Sequence, residues 1–204
     1  MRKFLALFLA LFVVVFSACA STAPVNIAQL VSPQSCMGNV CKEDGYEIAF
    51  EPITIISEGI GFTIRNTGTE PISVLWDECA FINTEGQSSR IMHTGVRYSE
   101  RDAPQAPSMI APGSVLKDEA TPTSNVNLQP GGGWYVFPLF WTMGPYVPHE
   151  IPVEQLDGKK AGLYLTLKVG ETKKAQQYLF QITTVTSSPA PAGTANPAPV
   201  NSTP

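Results

Sequence analysis

Alternation with a period of two, punctuated by turn residues, constrains this chain more than any other feature. Ile60, Phe62 and Ile64 alternate with small or polar residues, Asn66-Thr67-Gly68 interrupts the run, and Ile72, Val74 and Trp76 resume it after Pro71. Side chains of a strand point alternately to opposite faces, so such runs carry one apolar face that must pack on a second sheet. Residues 60–95 read as three strands and two turns, half of a β-sandwich. Leu163, Leu165, Leu167 and Val169, then Gly170-Glu171-Thr172, then Tyr178, Phe180 and Ile182 give the clearest hairpin. Tyr46, Ile48 and Phe50 alternate, and Ile53 and Ile55 follow in the opposite phase after Pro52, which predicts an edge strand crossing from one sheet to the other. The expected fold is all-β, a single β-sandwich over residues 45–186.

The hairpin around Asn83-Thr84-Glu85-Gly86 sets which side chains face the core. A Glu85-Gly86 loop places Glu78 opposite His93, and a Thr84-Glu85 loop places Trp76 there. Either puts Ile91 and His93 on the face of Ile72, Val74 and Trp76, so His93 is expected at the rim of the core beside Trp76. Glu78 on that face is costly, which predicts a bulge at Asp77-Glu78.

Pro104, Pro107, Pro112 and Pro122 limit residues 99–122 to short extended pieces, as in a Greek-key crossover, with a turn at Pro112-Gly113. Gln129-Pro130-Gly131-Gly132-Gly133 is a loop. It is no phosphate cradle, because neither a Lys-Ser/Thr pair nor a helix pattern follows. Residues 134–141, WYVFPLFW, are apolar on both faces, as in a central strand, yet Pro138 argues for an edge or a bulge. An aromatic face covered by a partner reconciles the two, and Trp134, Tyr135, Trp141 and Tyr146 are the candidate interface residues. A segment of the chain folded back over that face is the other reading.

The amino terminus reads as an address. Arg2-Lys3 precede 13 apolar residues from Phe4 to Phe16, too few to span a bilayer, and Ser17-Ala18-Cys19 follow. Phe16-Ser17-Ala18-Cys19 resembles a bacterial lipobox, with Phe16 in place of the usual leucine. That resemblance implies a lipoprotein signal peptide over residues 1–18, lipidation of Cys19 and attachment to the membrane of the cell envelope. In a diderm organism, Ala20-Ser21 after the cysteine implies the outer membrane, facing the periplasm. Residues 19–44 read as a small, polar tether with a cysteine-containing loop. Residues 187–204 hold no charge and five prolines, which predicts a disordered tail.

Lys and Arg number 13 against 17 Asp and Glu, and removal of Arg2 and Lys3 with the signal peptide makes the balance more negative still. Nucleic acid is not an expected partner, since its binding needs clustered cations. In an exported chain disulfides persist, and Cys36 and Cys41 bracket a turn that suits a local bridge. Cys79 is left as a buried small hydrophobe, with pairing to Cys36 or Cys41 as the rival.

The stretch PISVLWDECAFINTEGQSSRIMHTGVRY over residues 71–98, together with Ala106 to Ser114 and Gly132-Gly133-Trp134, resembles a widespread set of exported bacterial lipoproteins of unknown function. The resemblance runs over about residues 61–141. It implies an immunoglobulin-like sandwich and carries no activity.

Neither a GxSxG, HExxH or Walker-type motif nor paired CxxC spacing is present, and the two histidines stand far apart in sequence. No catalytic residues and no cofactor are assigned, and an enzyme, a hydrolase for example, is not the expected reading. Met92, His93, Met109, Met143 and His149 are the soft ligands that a periplasmic copper-handling protein would use, which makes that the alternative to a binding or assembly module.

Overall fold

The computed structural model describes residues 27–143 and 148–183. Residues 1–18, read as a signal peptide, Cys19, Tyr146 and residues 187–204 lie outside them. The strands are β1 (Ala28–Ser32), β2 (Val40–Glu43), β3 (Tyr46–Phe50), β4 (Ile60–Asn66), β5 (Ile72–Val74), β6 (Ala80–Ile82), β7 (Ser88–His93) and β8 (Ser108–Ile110). After them come β9 (Val115–Pro122), β10 (Val126–Leu128), β11 (Trp134–Val136), β12 (Trp141–Met143), β13 (Pro148–Glu150), β14 (Lys160–Val169) and β15 (Thr172–Ile182). A one-turn helix, α1 (Val153–Leu156), precedes β14.

Eleven strands form one curled antiparallel sheet that folds over into the two layers of a sandwich. One layer runs β1, β15, β14, with β5 and β6 side by side on β14 and β8 beyond β5; the other runs β2, β3, β4, β9. β7 belongs to both. Ser88, Ser89 and Arg90 pair with β6, and Ile91, Met92 and His93 pair with β9. The two layers meet through large rings: Phe50 lies 4.9 Å from Tyr178 and 5.1 Å from Phe180, and Phe62 lies 6.3 Å from Trp76.

The β14–β15 hairpin pairs Val169 with Thr172 across a two-residue Gly170-Glu171 loop. Leu163, Leu165 and Leu167 on one strand and Tyr178, Phe180 and Ile182 on the other are all buried, as alternation predicts. The β6–β7 hairpin has neither of the two expected registers. Ala80 pairs with Arg90 and Ile82 with Ser88, so the loop is Thr84-Glu85-Gly86, closed by Asn83 N–H donating to Gln87 O. Asn83 Oδ1 accepts from the N–H groups of Glu85 and Gln87, and Gly86 takes φ +78°, the left-handed residue of a three-residue loop. Trp76, Asp77 and Glu78 form a 3-10 turn where a bulge is expected. Each feature shifts the phase of the chain by one residue, and together they cancel. Ile91 therefore still joins the core, His93 still stacks on Trp76, and Glu78 turns outward to Lys173 Nζ at 2.8 Å.

Four boundaries differ from the expectation. The sheet begins at Ala28, inside the span read as tether, because β1 pairs along β15 and Ala28 is buried there. β3 is no edge strand, since β2 and β4 flank it; the chain turns away after Phe50. β9 is an eight-residue strand that Pro122 only terminates, and Pro112-Gly113 supplies the turn before it. Residues 134–141 are not one strand. β11 ends at Val136, and residues 137–140 form a buried bend whose carbonyls at Phe137 and Pro138 accept from Asn125 Nδ2 at 3.2 and 3.1 Å. The bend resolves the conflict between apolarity on both faces and a proline: Phe137, Leu139 and Phe140 are buried as a loop.

Cys36 and Cys41 are joined by a disulfide. Cys79 is a free thiol, buried at the end of the 3-10 turn, with Leu75 O 3.3 Å away and Thr166 N–H 3.4 Å away. Burial pushes this thiol up to about 11, which keeps it an unreactive small hydrophobe.

Candidate binding groove

A groove of about 490 Å³ opens where β7 leaves the sandwich. Gly95, at φ +92°, turns the chain out of β7, with Val96 N–H donating to His93 O at 3.2 Å. The outgoing segment is stitched to the body by buried polar groups. Gln105 Nε2 donates to Ile91 O at 2.7 Å while its Oε1 accepts from His93 N–H, and Asp118 Oδ1 accepts from Thr94 N–H at 2.9 Å. Asp77 receives the N–H of Gln105 and pairs with Arg90, whose guanidinium also donates to the carbonyls of Asp102 and Ala103. These bonds hold a 3-10 turn, Tyr98–Glu100, against the β10–β11 hairpin.

The floor is apolar: Met92, Val96 and Val136 line it and form a small core of their own with Val126. One wall is aromatic. Tyr98 and Trp134 remain 41% and 38% exposed with their rings 6.4 Å apart, and the Arg101 guanidinium lies 5.2 Å over Trp134 while donating to Val126 O. Glu58 and Glu119 line the other side, and Arg97 stands at the mouth. Partial burial, then the charges of Glu58, Glu51 and Asp118, raise Glu119 above the usual carboxylate range.

Because the folded state disfavours the Glu119 carboxylate, its contribution is neutral below the ordinary carboxylate pKa of about 4.3 and becomes destabilising as pH rises through the raised value. Glu119→Gln is therefore expected to raise the melting temperature near pH 7 and to leave it unchanged near pH 3, as measured by thermal unfolding at the two pH values.

His93 sits beneath the groove, its ring 4.3 Å from Trp76 and nearly parallel at 7°. Its Nδ1 lies 3.3 Å from Asp118 Oδ2. This is the rim position expected from the sequence. Met92 and His93 both line the groove, although Met92 packs in the small core and His93 on Trp76. The other copper candidates stand elsewhere. Met109 is exposed on β8, His149 is exposed on β13, and the Met143 side chain lies outside the described residues. Among the described residues no three His, Cys, Asp or Glu side chains are grouped to hold a metal.

Of the candidate interface residues, Trp134 borders the groove. Tyr135 alternates to the other side of β11, 4.8 Å from Phe137, and Phe137 stacks on Trp141 at 6.2 Å. Tyr98, Arg97, Glu58 and Glu119 were not marked by the sequence, because each is an ordinary exposed residue until the fold brings four separate segments together.

Comparison with protein-family models, with curated proteins and with solved structures gives no match for this chain.

Proposed function

We propose that this protein is a lipid-anchored component of the bacterial cell envelope whose sandwich acts as a binding or assembly module, with the groove beside Trp134 as its recognition surface. The observation that carries this reading is the exposed Tyr98–Trp134 pair over a groove that also presents Arg97, Glu58 and Glu119. Large aromatics left exposed beside an apolar floor are the usual anchors of a protein partner, and charges of both signs suit the polar rim around them. The lipobox at Phe16-Ser17-Ala18-Cys19 supports attachment through Cys19, with two or more acyl chains giving firm anchorage. Residence on the periplasmic face of the outer membrane follows in a diderm host. The reading invokes no catalysis and no cofactor.

One experiment in intact cells tests both parts. A photoreactive residue in place of Tyr98 is expected to give a discrete crosslinked species in the membrane fraction, and Cys19→Ser to move the chain to a soluble or uncleaved form. Unchanged size and fractionation of Cys19→Ser overturn the anchor. Absence of any crosslink from Tyr98, with a crosslink from an exposed site remote from the groove, overturns the recognition surface.

A further inference from the structure

A second depression, of about 440 Å³, lies between the β6–β7 hairpin and the turn that precedes β10. Its size is ordinary for a small-ligand site. Gln87, Ser88, Ser89 and Ser124 line its walls, Trp141 borders it, and Phe81, Leu139 and Ile151 give it an apolar base.

The chemistry of this lining is unlike that of the groove. Among the lining residues Glu85 is the one ionisable group, and it is already engaged, accepting from Thr84 Oγ1 at 2.8 Å and lying 3.6 Å from Lys159 Nζ. An anion would be repelled by Glu85, and a cation would have to compete with Lys159 for it. The amides that shape the walls are also committed. Asn83 bonds Glu85, Gln87 and the Gln87 side chain, and Asn125 holds the carbonyls of Phe137 and Pro138. The walls are thereby fixed, while Gln87 Nε2 and the hydroxyl of Ser89, which shares the face of its pairing partner Phe81, have no protein partner among the described residues. What remains is a preformed site whose one carboxylate is already ion-paired, with spare hydrogen-bonding groups and a half-buried indole in its lining.

A sugar ring has the matching pair of surfaces, an apolar C–H face and a rim of neutral hydroxyls. We propose that this depression binds a neutral saccharide, with Trp141 against the C–H face and Gln87 and Ser89 hydrogen-bonding the hydroxyls. The inference is independent of the groove and of the membrane anchor. Shape and rigidity favour it, since donors that are already in place lose little freedom on binding.

The test is calorimetric titration of the purified full chain with two probes, an N-acetylglucosamine tetramer and maltotetraose, beside a neutral Ser- and Asn-rich hexapeptide. At least one saccharide is expected to bind saturably below about 10 mM. Trp141→Ala should weaken that binding by about tenfold or more, and Gln87→Ala or Ser89→Ala by a few-fold, as expected for an aromatic anchor ringed by weaker polar contacts. Trp134→Ala should leave it unchanged, which separates this site from the groove. Gln87 is exposed, so its substitution keeps the test valid if Trp141→Ala fails to fold. No binding of either saccharide, binding of the hexapeptide alone, or full affinity in the Gln87 and Trp141 variants overturns the proposal.

Discussion

Trp76→Ala is expected to destabilise the fold by about 3 to 5 kcal/mol, the range for removing a fully buried aromatic side chain. Trp76 has no exposed surface and touches three parts of the molecule at once. Its ring packs 6.3 Å from Phe62 in the opposite layer, one face is covered by His93, and its Nε1–H donates to Ser108 Oγ at 2.9 Å, tying β8 to the core. Alanine leaves a cavity where the layers meet and leaves the His93 ring without its partner. Trp76→Phe keeps most of the packing and loses the bond to Ser108, whose hydroxyl is only partly buried, so its expected cost is about 1 to 2 kcal/mol. Urea unfolding followed by circular dichroism reads both values. A loss below about 1 kcal/mol for Trp76→Ala would mean that the layers collapse to fill the space and that the junction at Trp76 is not a fixed one.

The burial of Trp76 was legible because it rests on local information. Ile72, Val74 and Trp76 alternate, and alternation states which face is apolar. The β14–β15 hairpin was legible for the same reason, helped by the Gly170 turn. What remained hidden depends on partners distant in sequence. Ala28 to Ser32 carries little strand character of its own, and becomes a strand because β15 offers it a full edge. The register of the β6–β7 hairpin turned on the Asn83 side chain, which closes a three-residue loop where glycine position alone suggested two residues. Its error did not spread to His93, because the 3-10 turn at Trp76 shifts the phase once more. The Pro138 bend was visible as a contradiction and not as a structure, since the amide that stabilises it, Asn125, lies on another segment.

The same limit applies more strongly to the two depressions. Each is lined by segments from several parts of the chain, and an isolated Tyr98 or Ser89 has no local signature. Trp134 and Trp141 stood out as aromatics in a run with no polar face, and Met92 and His93 of the groove stood out as soft metal ligands. The structure separates the two tryptophans, placing Trp134 beside a groove with several charges and Trp141 beside a depression whose one carboxylate is ion-paired. One aromatic run therefore borders two depressions of different chemistry.

Asn66→Asp is expected to be the most damaging conservative change in the chain near neutral pH. Asn66 ends β4 and is 1% exposed. Its Nδ2 donates to Glu70 O at 2.8 Å and to Ile110 O at 3.0 Å, and its Oδ1 accepts from Gly68 N–H at 3.0 Å, so one amide joins β4, the turn after it and the β8–β9 corner. Alanine leaves these groups unpaired, at an expected cost of about 2 to 4 kcal/mol. Aspartate is worse when ionised. It keeps the acceptor for Gly68 but sets a carboxylate oxygen against two carbonyl oxygens in a buried site, which raises its folded pKa well above the ordinary value of about 3.9. The sign follows from that direction: below the ordinary pKa both states are protonated and the charge adds no penalty, and stability is lost as pH rises toward the folded value, at about 1.4 kcal/mol per unit. Asn66→Asp should therefore unfold at lower urea than Asn66→Ala near pH 7, and the difference should close or reverse near pH 3, where a protonated carboxyl donates to one of the two carbonyls. Equal pH profiles for the aspartate and alanine variants would show that water reaches Asn66 and that the corner it joins opens in solution.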